Sequence, residues 1–191
     1  MSQYYFLVAS LPLLSYEQPD AADPDAFLGM LGEHLTEHDL AVVAGARLDA
    51  PIADAAFQNQ TIRAWERYER GLRNALVRLR APGRSADPSQ YVRADQSGSE
   101  GNDASWVADA AREALGHESP LGAEHALNRA RWSFLDEIEV GHYFDLHRVI
   151  VYYLKLQILA RRRLFDRSAG EAAFVRINET IMNDYYQEQS E

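Results

Sequence analysis

LNRARWSFLDEIEVGHYFDLHRVIVYYLKLQILARRRLFD, residues 127–166, decides the fold. Two long helical segments meet here at a short acidic junction. The first starts at Ser119-Pro120, a cap residue followed by proline at the first helical position, and carries Arg131, Trp132, Phe134 and Leu135 to about Glu139. Gly141 breaks it, and Asp145 supplies a cap for a second helix over Leu146–Phe165. That second helix is apolar on most faces until Ala160, the pattern of a central buried helix.

Working outward, the same punctuation recurs. Trp106–Leu115 reads as a helix ended by Gly116, and Pro82–Ser105, rich in Pro, Gly, Ser, Asp and Asn, reads as a linker. Before it, a long helix spans about Asp54 to Ala81. Ile62, Trp65, Leu72, Leu76 and Leu79 form its apolar stripe, with Glu69 on the stripe and Arg73 one turn later to pair with it. Arg63, Arg67, Arg70 and Arg78 fall on the opposite, solvated face. Asp23-Pro24 opens a helix to about Leu35, and Thr36 with Asp39 opens a short one through Ala44. The apolar start, Tyr4 to Pro12, fits a short buried strand and a buried first helix equally. Beyond the central helix, Ser168 and Glu171 form a capping box for a closing helix with Phe174, Ile177, Ile181 and Tyr185 on one side. The expected architecture is all-α: an N-terminal helical lobe over 1–82, a linker over 83–105 and a C-terminal lobe over 106–191, with packing as a single domain left open.

Composition narrows the function classes. The net charge of −10 and pI near 5.0 argue against attraction to nucleic acid or anionic lipid. Of nineteen Lys and Arg residues only Lys155 is a lysine. Arginine suits protein–protein ion pairs, and a GC-rich genome produces the same bias. Without cysteine there is no thiolate catalysis, disulfide or Cys-based zinc site. Met1–Leu14 lacks the basic start and small-residue cleavage site of a signal peptide. The longest apolar run, Val149–Leu159, is interrupted by Lys155 and Gln157 and is too short to span a bilayer. A cytoplasmic protein without direct membrane insertion is expected.

Two patterns invite a metal. His34-Leu35-Thr36-Glu37-His38 fits the H-x-x-E-H of inverted zinc peptidases, which needs both histidines one turn apart on a continuous helix. Thr36 reads as a cap inside that motif. Glu139-x-x-His142 matches the inward pair of carboxylate metal bundles, but only once and with Gly141 inside it. Glu137, Asp145 and His147 lie close by in sequence. The plainer account is a polar turn whose carboxylates cap helix starts or pair with Arg131 and Arg148. Neither G-x-S-x-G nor the two phosphate-binding glycine motifs are present. The residues point to a non-enzymatic scaffold or interaction protein with no cofactor.

One resemblance goes further. RWSFLDEIEVGHYFDL (131–146) and YYLKLQIL (152–159) resemble an uncharacterised bacterial family. Its genes accompany those of V-type (A/V-type) ATP synthase components in spirochaetes, chlamydiae and Bacteroides relatives. The opening YYFLVASLP (4–12) and the middle WERYERGLRNAL (65–76) resemble the same family, so the likeness covers most of the chain apart from the linker. It implies a shortened relative of the motor's C subunit, the helical funnel that seats on the rotor ring and receives the central shaft, or an assembly factor of that motor. Its partners would be the shaft and rotor-ring subunits, with location at the inner face of the cell membrane through them. Glu69, Arg73 and Asn74 on the long helix are then candidate partner contacts. Arg131, Trp132, Glu137, Glu139, His142 and Asp145 form the second candidate group. The alternatives are a metal-dependent protein using His34, Glu37 and His38 or Glu139 and His142, and a free-standing helical adaptor.

Overall fold

Most helix starts among the described residues are local capping events. The computed structural model describes residues 4–18, 23–48, 59–84, 87–94 and 105–164. Among them are seven α-helices and no strand: α1 (Tyr4–Ser10), α2 (Pro24–Leu31), α3 (Glu37–Gly45), α4 (Gln60–Arg80), α5 (Ser105–Gly116), α6 (Pro120–Glu139) and α7 (Leu146–Leu164). The Asp23 carboxylate accepts from the N–H groups of Asp25 and Ala26, Thr36 Oγ from Asp39 N–H, and Ser119 Oγ from Gly122 N–H. Asn59 does the same for Thr61 and Ile62 at the head of α4. The expected beginning of that helix over 54–58, the Gly98–Gly101 stretch, and the closing helix with Ser168, Glu171, Phe174, Ile177, Ile181 and Tyr185 lie outside the described residues.

The N-terminal segment is helical, which removes the strand alternative. Tyr4, Leu7, Val8 and Leu11 recur at three- and four-residue steps and turn toward the core, while Tyr5 and Phe6 face out. α2 ends at Leu31, four residues short of expectation, because Thr36 must adopt extended backbone (φ −67°, ψ 154°) to cap α3.

α7 is the axis of the core. From Val149 to Leu159 every residue except Gln157 is buried, and α1, α2, α3, α4 and α6 all pack against it. Gln157 donates to Ala46 O (2.7 Å) and accepts from Leu48 N–H (3.2 Å), so the polar break in the apolar run pins the end of α3. α4 packs along α5, and α5 against α6. Buried side chains from both sides of the 83–105 stretch thus belong to one hydrophobic cluster. Part of that stretch is itself ordered on α4: the Asn74 amide donates to Arg93 O and accepts from Arg93 N–H, both at 2.9 Å.

An aromatic stack joins the helices on the far side of α4. Tyr68, Phe134 of α6 and Trp106 of α5 cluster with near-parallel rings: Phe134 lies 4.2 Å from Tyr68 between centroids (planes 8° apart), Trp106 lies 5.2 Å from Tyr68 (13°) and 5.8 Å from Phe134 (18°), and Trp65 is tilted against Tyr68. Tyr68 is wholly buried although the apolar stripe omitted it, because α4 is covered by both α5 and α7 and its buried face is wider than one stripe. Leu79, placed on the stripe by its spacing, is 41% exposed where the helix runs past its neighbours.

Two outcomes test the stack. Phe134→Ala removes the ring that three aromatics share and should cost about 3–5 kcal/mol in chemical denaturation. The Tyr68 hydroxyl is buried with no hydrogen-bond partner among the described residues. Tyr68→Phe should therefore leave stability unchanged or raise it by about 1 kcal/mol; a loss larger than that contradicts the packing described.

Candidate functional site

The polar residues singled out by the sequence separate into a buried network and a surface corner. Arg131 of α6 is the centre of the network. Its Nε and Nη2 donate to Glu69 Oε1 (2.7 Å) and Oε2 (3.4 Å) of α4, a two-armed pair, and Nη1 donates to Asn128 Oδ1 at 3.0 Å. Glu124 approaches Nη1 at 3.4 Å and is also held by Arg161 of α7 at 3.0 Å. Burial works against the arginine's charge, but the Glu69 carboxylate and its hydrogen bond outweigh it, so the guanidinium holds its proton more tightly than usual.

This geometry corrects the first candidate contact group. Glu69 and Asn74 are buried, 6% and 1% exposed, and each is spent on internal bonds. Glu69 pairs with Arg131 across the core and meets Arg73, the partner expected from helical spacing, only at 3.7 Å. Arg73 keeps about half its side chain in solvent and reaches Leu48 O at 3.5 Å. Arg70, placed on the solvated face, is also largely covered and pairs with Glu66 at 2.9 Å. Arg131 and Trp132 are largely covered too, Trp132 facing a cleft beside α7.

Below the junction lies a cleft of about 500 Å³ between the Leu13–Tyr16 segment and the facing sides of α6 and α7. Trp132 and Tyr152 form apolar walls, and Asp136, Glu139, Arg148 and Lys155 line the rest. Lys155, the chain's one lysine, is 8% exposed; Nζ lies 2.7 Å from Asp136, pairs with Glu139 and stands 5.3 Å over the Trp132 ring. Burial lowers its proton affinity, and the Asp136 hydrogen bond partly restores it. Glu139 is also paired with Arg148, the partner anticipated for a junction carboxylate.

The junction itself is a tight turn. Gly141 has φ +88°, a conformation that side chains with a Cβ rarely adopt, and this reverses the chain after α6. Asp145 accepts from Arg148 N–H at 2.9 Å, capping α7 as its position suggested, while its other oxygen lies 2.6 Å from His142 Nδ1. Burial would raise the Asp145 pKa; the His142 hydrogen bond and the Arg148 amide overcome it and hold the carboxyl below its usual range. Glu137 is exposed on the last turn of α6. The apolar part of this corner went unmarked in the sequence reading. Val140, Tyr143 and Phe6 are 80%, 70% and 75% exposed, and Phe144 is 42% exposed. Tyr5 of α1 bridges to Phe144 at 4.7 Å and to Phe6 at 5.4 Å between ring centroids. The signal was present: aromatics at 5–6 and 143–144 flank a glycine turn and a helix start, where spacing assigns them to no buried face.

Neither metal pattern is assembled. α2 stops at Leu31 and Thr36 caps α3, so His34 sits in the turn and His38 on the next helix, both exposed, with Glu37 between them. The continuous helix that H-x-x-E-H requires is broken by the cap. Glu139 turns to Arg148 and Lys155 while His142 turns to Asp145, so the Glu139/His142 pair does not converge. Among the described residues no three His, Asp or Glu side chains gather as metal ligands do.

Removing one member of the buried pair should expose the network's dependence on it. Arg131→Met strands the Glu69 carboxylate and should cost about 3–5 kcal/mol, whereas adding Glu69→Leu should recover most of that loss. Lys155→Met should cost less, since Glu139 keeps Arg148. Equal losses in urea titrations of Arg131→Met and the double variant would refute this account.

A family model described as "Protein of unknown function (DUF2764)" matches residues 111–185. No curated protein and no solved structure matches the chain. The matched stretch takes in the later part of α5, the whole of α6 and α7 and the junction between them, so the α6–α7 turn with its aromatics and the cleft's helical walls fall inside the part of this chain that is similar to that family.

Proposed function

We propose that this chain is a non-catalytic component or assembly factor of a bacterial V-type ATPase, a shortened connector of the C-subunit kind between the central shaft and the membrane rotor ring. The observation that carries the proposal is the resemblance of three separated sequence blocks, 4–12, 65–76 and 131–146 with 152–159, to the family encoded beside those motor components. The all-helical frame suits such a role. A connector that transmits torque needs helices locked against one another, and here the locks are the Tyr68 stack and the Glu69–Arg131 pair.

We place the contact surface of this reading at the α1 and α6–α7 corner. The buried charges fix internal geometry, and Tyr5, Phe6, Val140, Tyr143 and Phe144 form an exposed apolar corner suited to a partner. Aromatic side chains dominate the centres of protein interfaces because they bury large area at small entropic cost. None of the described helices is long and apolar enough to cross a membrane, so position at the cell membrane's inner face would come through the partner proteins.

Affinity purification of the tagged chain from its native cells in mild detergent tests this directly. The catalytic, shaft and rotor-ring subunits should co-elute and be identified by mass spectrometry. Phe6→Ser with Tyr143→Ser should reduce that recovery about tenfold while leaving the melting temperature nearly unchanged. Elution alone, or with unrelated proteins, overturns the motor assignment.

A further inference from the structure

The turn between α6 and α7 holds two imidazoles face to face. The rings of His142 and His147 stack with centroids 3.7 Å apart and planes 12° apart. His147 uses both of its ring nitrogens: Nε2 lies 2.6 Å from Ile138 O, and Nδ1 lies 2.8 Å from Thr61 Oγ1. A carbonyl oxygen only accepts, so Nε2 carries the hydrogen, and in the neutral ring Nδ1 accepts from the Thr61 hydroxyl. One side chain therefore ties the end of α6, the first turn of α4 and the first turn of α7. His142 reaches Asp145, whose second oxygen caps α7.

We propose that the His142–His147 stack is a pH-sensitive latch: with His147 neutral it closes the α6–α7 turn, and protonation of His147 loosens that turn and with it the placement of the Tyr143 and Phe144 side chains that the turn carries. The latch rests on this geometry alone and is independent of which partner the aromatic corner engages.

A proton added to His147 Nδ1 would face the Thr61 hydroxyl, which must then turn from donor to acceptor. The new charge would also lie against the face of His142. Asp145 is the carboxylate facing the pair from the junction. Glu139, at the end of α6, is occupied by Arg148 and Lys155, and the contact from α4 is the uncharged Thr61 hydroxyl. Burial first, and His142 second, hold the His147 pKa below the ordinary histidine value, against the weaker pull of Ile138 O and Asp145. The open turn restores the ordinary value of about 6.5. Opening thus takes up a proton, and the closed state is most stable above pH about 6.5 and loosens as pH falls toward the depressed closed-state value. Asp145, whose pKa is also lowered, acts in the same sense at more acid pH: its contribution is present above about 4 and lost below.

Hydrogen–deuterium exchange over residues 137–149, corrected for intrinsic rates and measured between pH 7.5 and 5.0 on the full chain, tests the latch. The wild type should lose protection at least about threefold across that range. His147→Gln supplies an uncharged side chain that can donate to Ile138 O and accept from Thr61. It should keep the pH 7.5 protection and show no such loss. If circular dichroism shows that variant unfolded, His142→Gln decides: removing the stacked ring takes away the second of the two causes that keep His147 from protonating in the closed turn, so the pH-dependent loss should shrink. A wild-type change under about twofold, the wild-type loss persisting in a folded His147→Gln, or an undiminished loss in His142→Gln overturns the proposal.

Discussion

A helix buried on nearly every face cannot exist without something to cover each side of it, and α7 imposes that demand on the whole chain. Among eleven consecutive positions, 149–159, the Gln157 amide and the Tyr152 hydroxyl bond to backbone, and Lys155 is the one cation. Its apolar surface is too wide for a single neighbour, so α1, α2, α3, α4 and α6 are arranged around it. The short helices at the N-terminus have little stability of their own; what holds them is the α7 surface they cover. Phe27 shows this, packing its ring against both Tyr152 and Tyr153 of α7.

Glu69, Arg131 and Lys155, brought inside by this packing, are each accompanied by an opposite charge. Arg131 meets Glu69 two-armed, and Lys155 meets Asp136 and Glu139 while Arg148 closes the other side of Glu139. Such pairs add little net stability over an apolar replacement, since desolvation offsets the attraction. They do make alternative packings costly, because a shift of α4 along α6 would leave Glu69 buried without its cation. The polar residues that most resemble a site are in this sense fasteners. The corner where the chain faces outward is built from aromatics, and it is seated on the His142–His147 stack and the Asp145 cap.

Stiff and adjustable regions are thereby divided. The Tyr68 stack and the Glu69–Arg131 pair join α4, α5 and α6 through side chains largely shut off from solvent. The junction after Glu139 is held by a glycine turn and by hydrogen bonds of half-exposed histidines, contacts that respond to protonation where ring stacking does not.

Apart from α1, whose start fits strand and helix equally, the sequence alone determined the helices, because their signals are local. Asp23-Pro24, Thr36, Ser119-Pro120 and Gly141 mark starts and stops through backbone chemistry within four residues, and the unbroken apolar face of α7 announced its burial. Tertiary structure decided everything that depends on which faces meet. Glu69 looked paired with Arg73 because the two are one turn apart, yet Arg131, sixty-two residues away, fits both oxygens better once α4 and α6 are side by side. Tyr68 became core because α4 is covered from two directions. Tyr5, Phe6, Tyr143 and Phe144 became surface because α1 and the junction lie at the rim, with no helix among the described residues beyond them to bury those rings. Periodicity tells which residues share a face; only packing tells what that face meets.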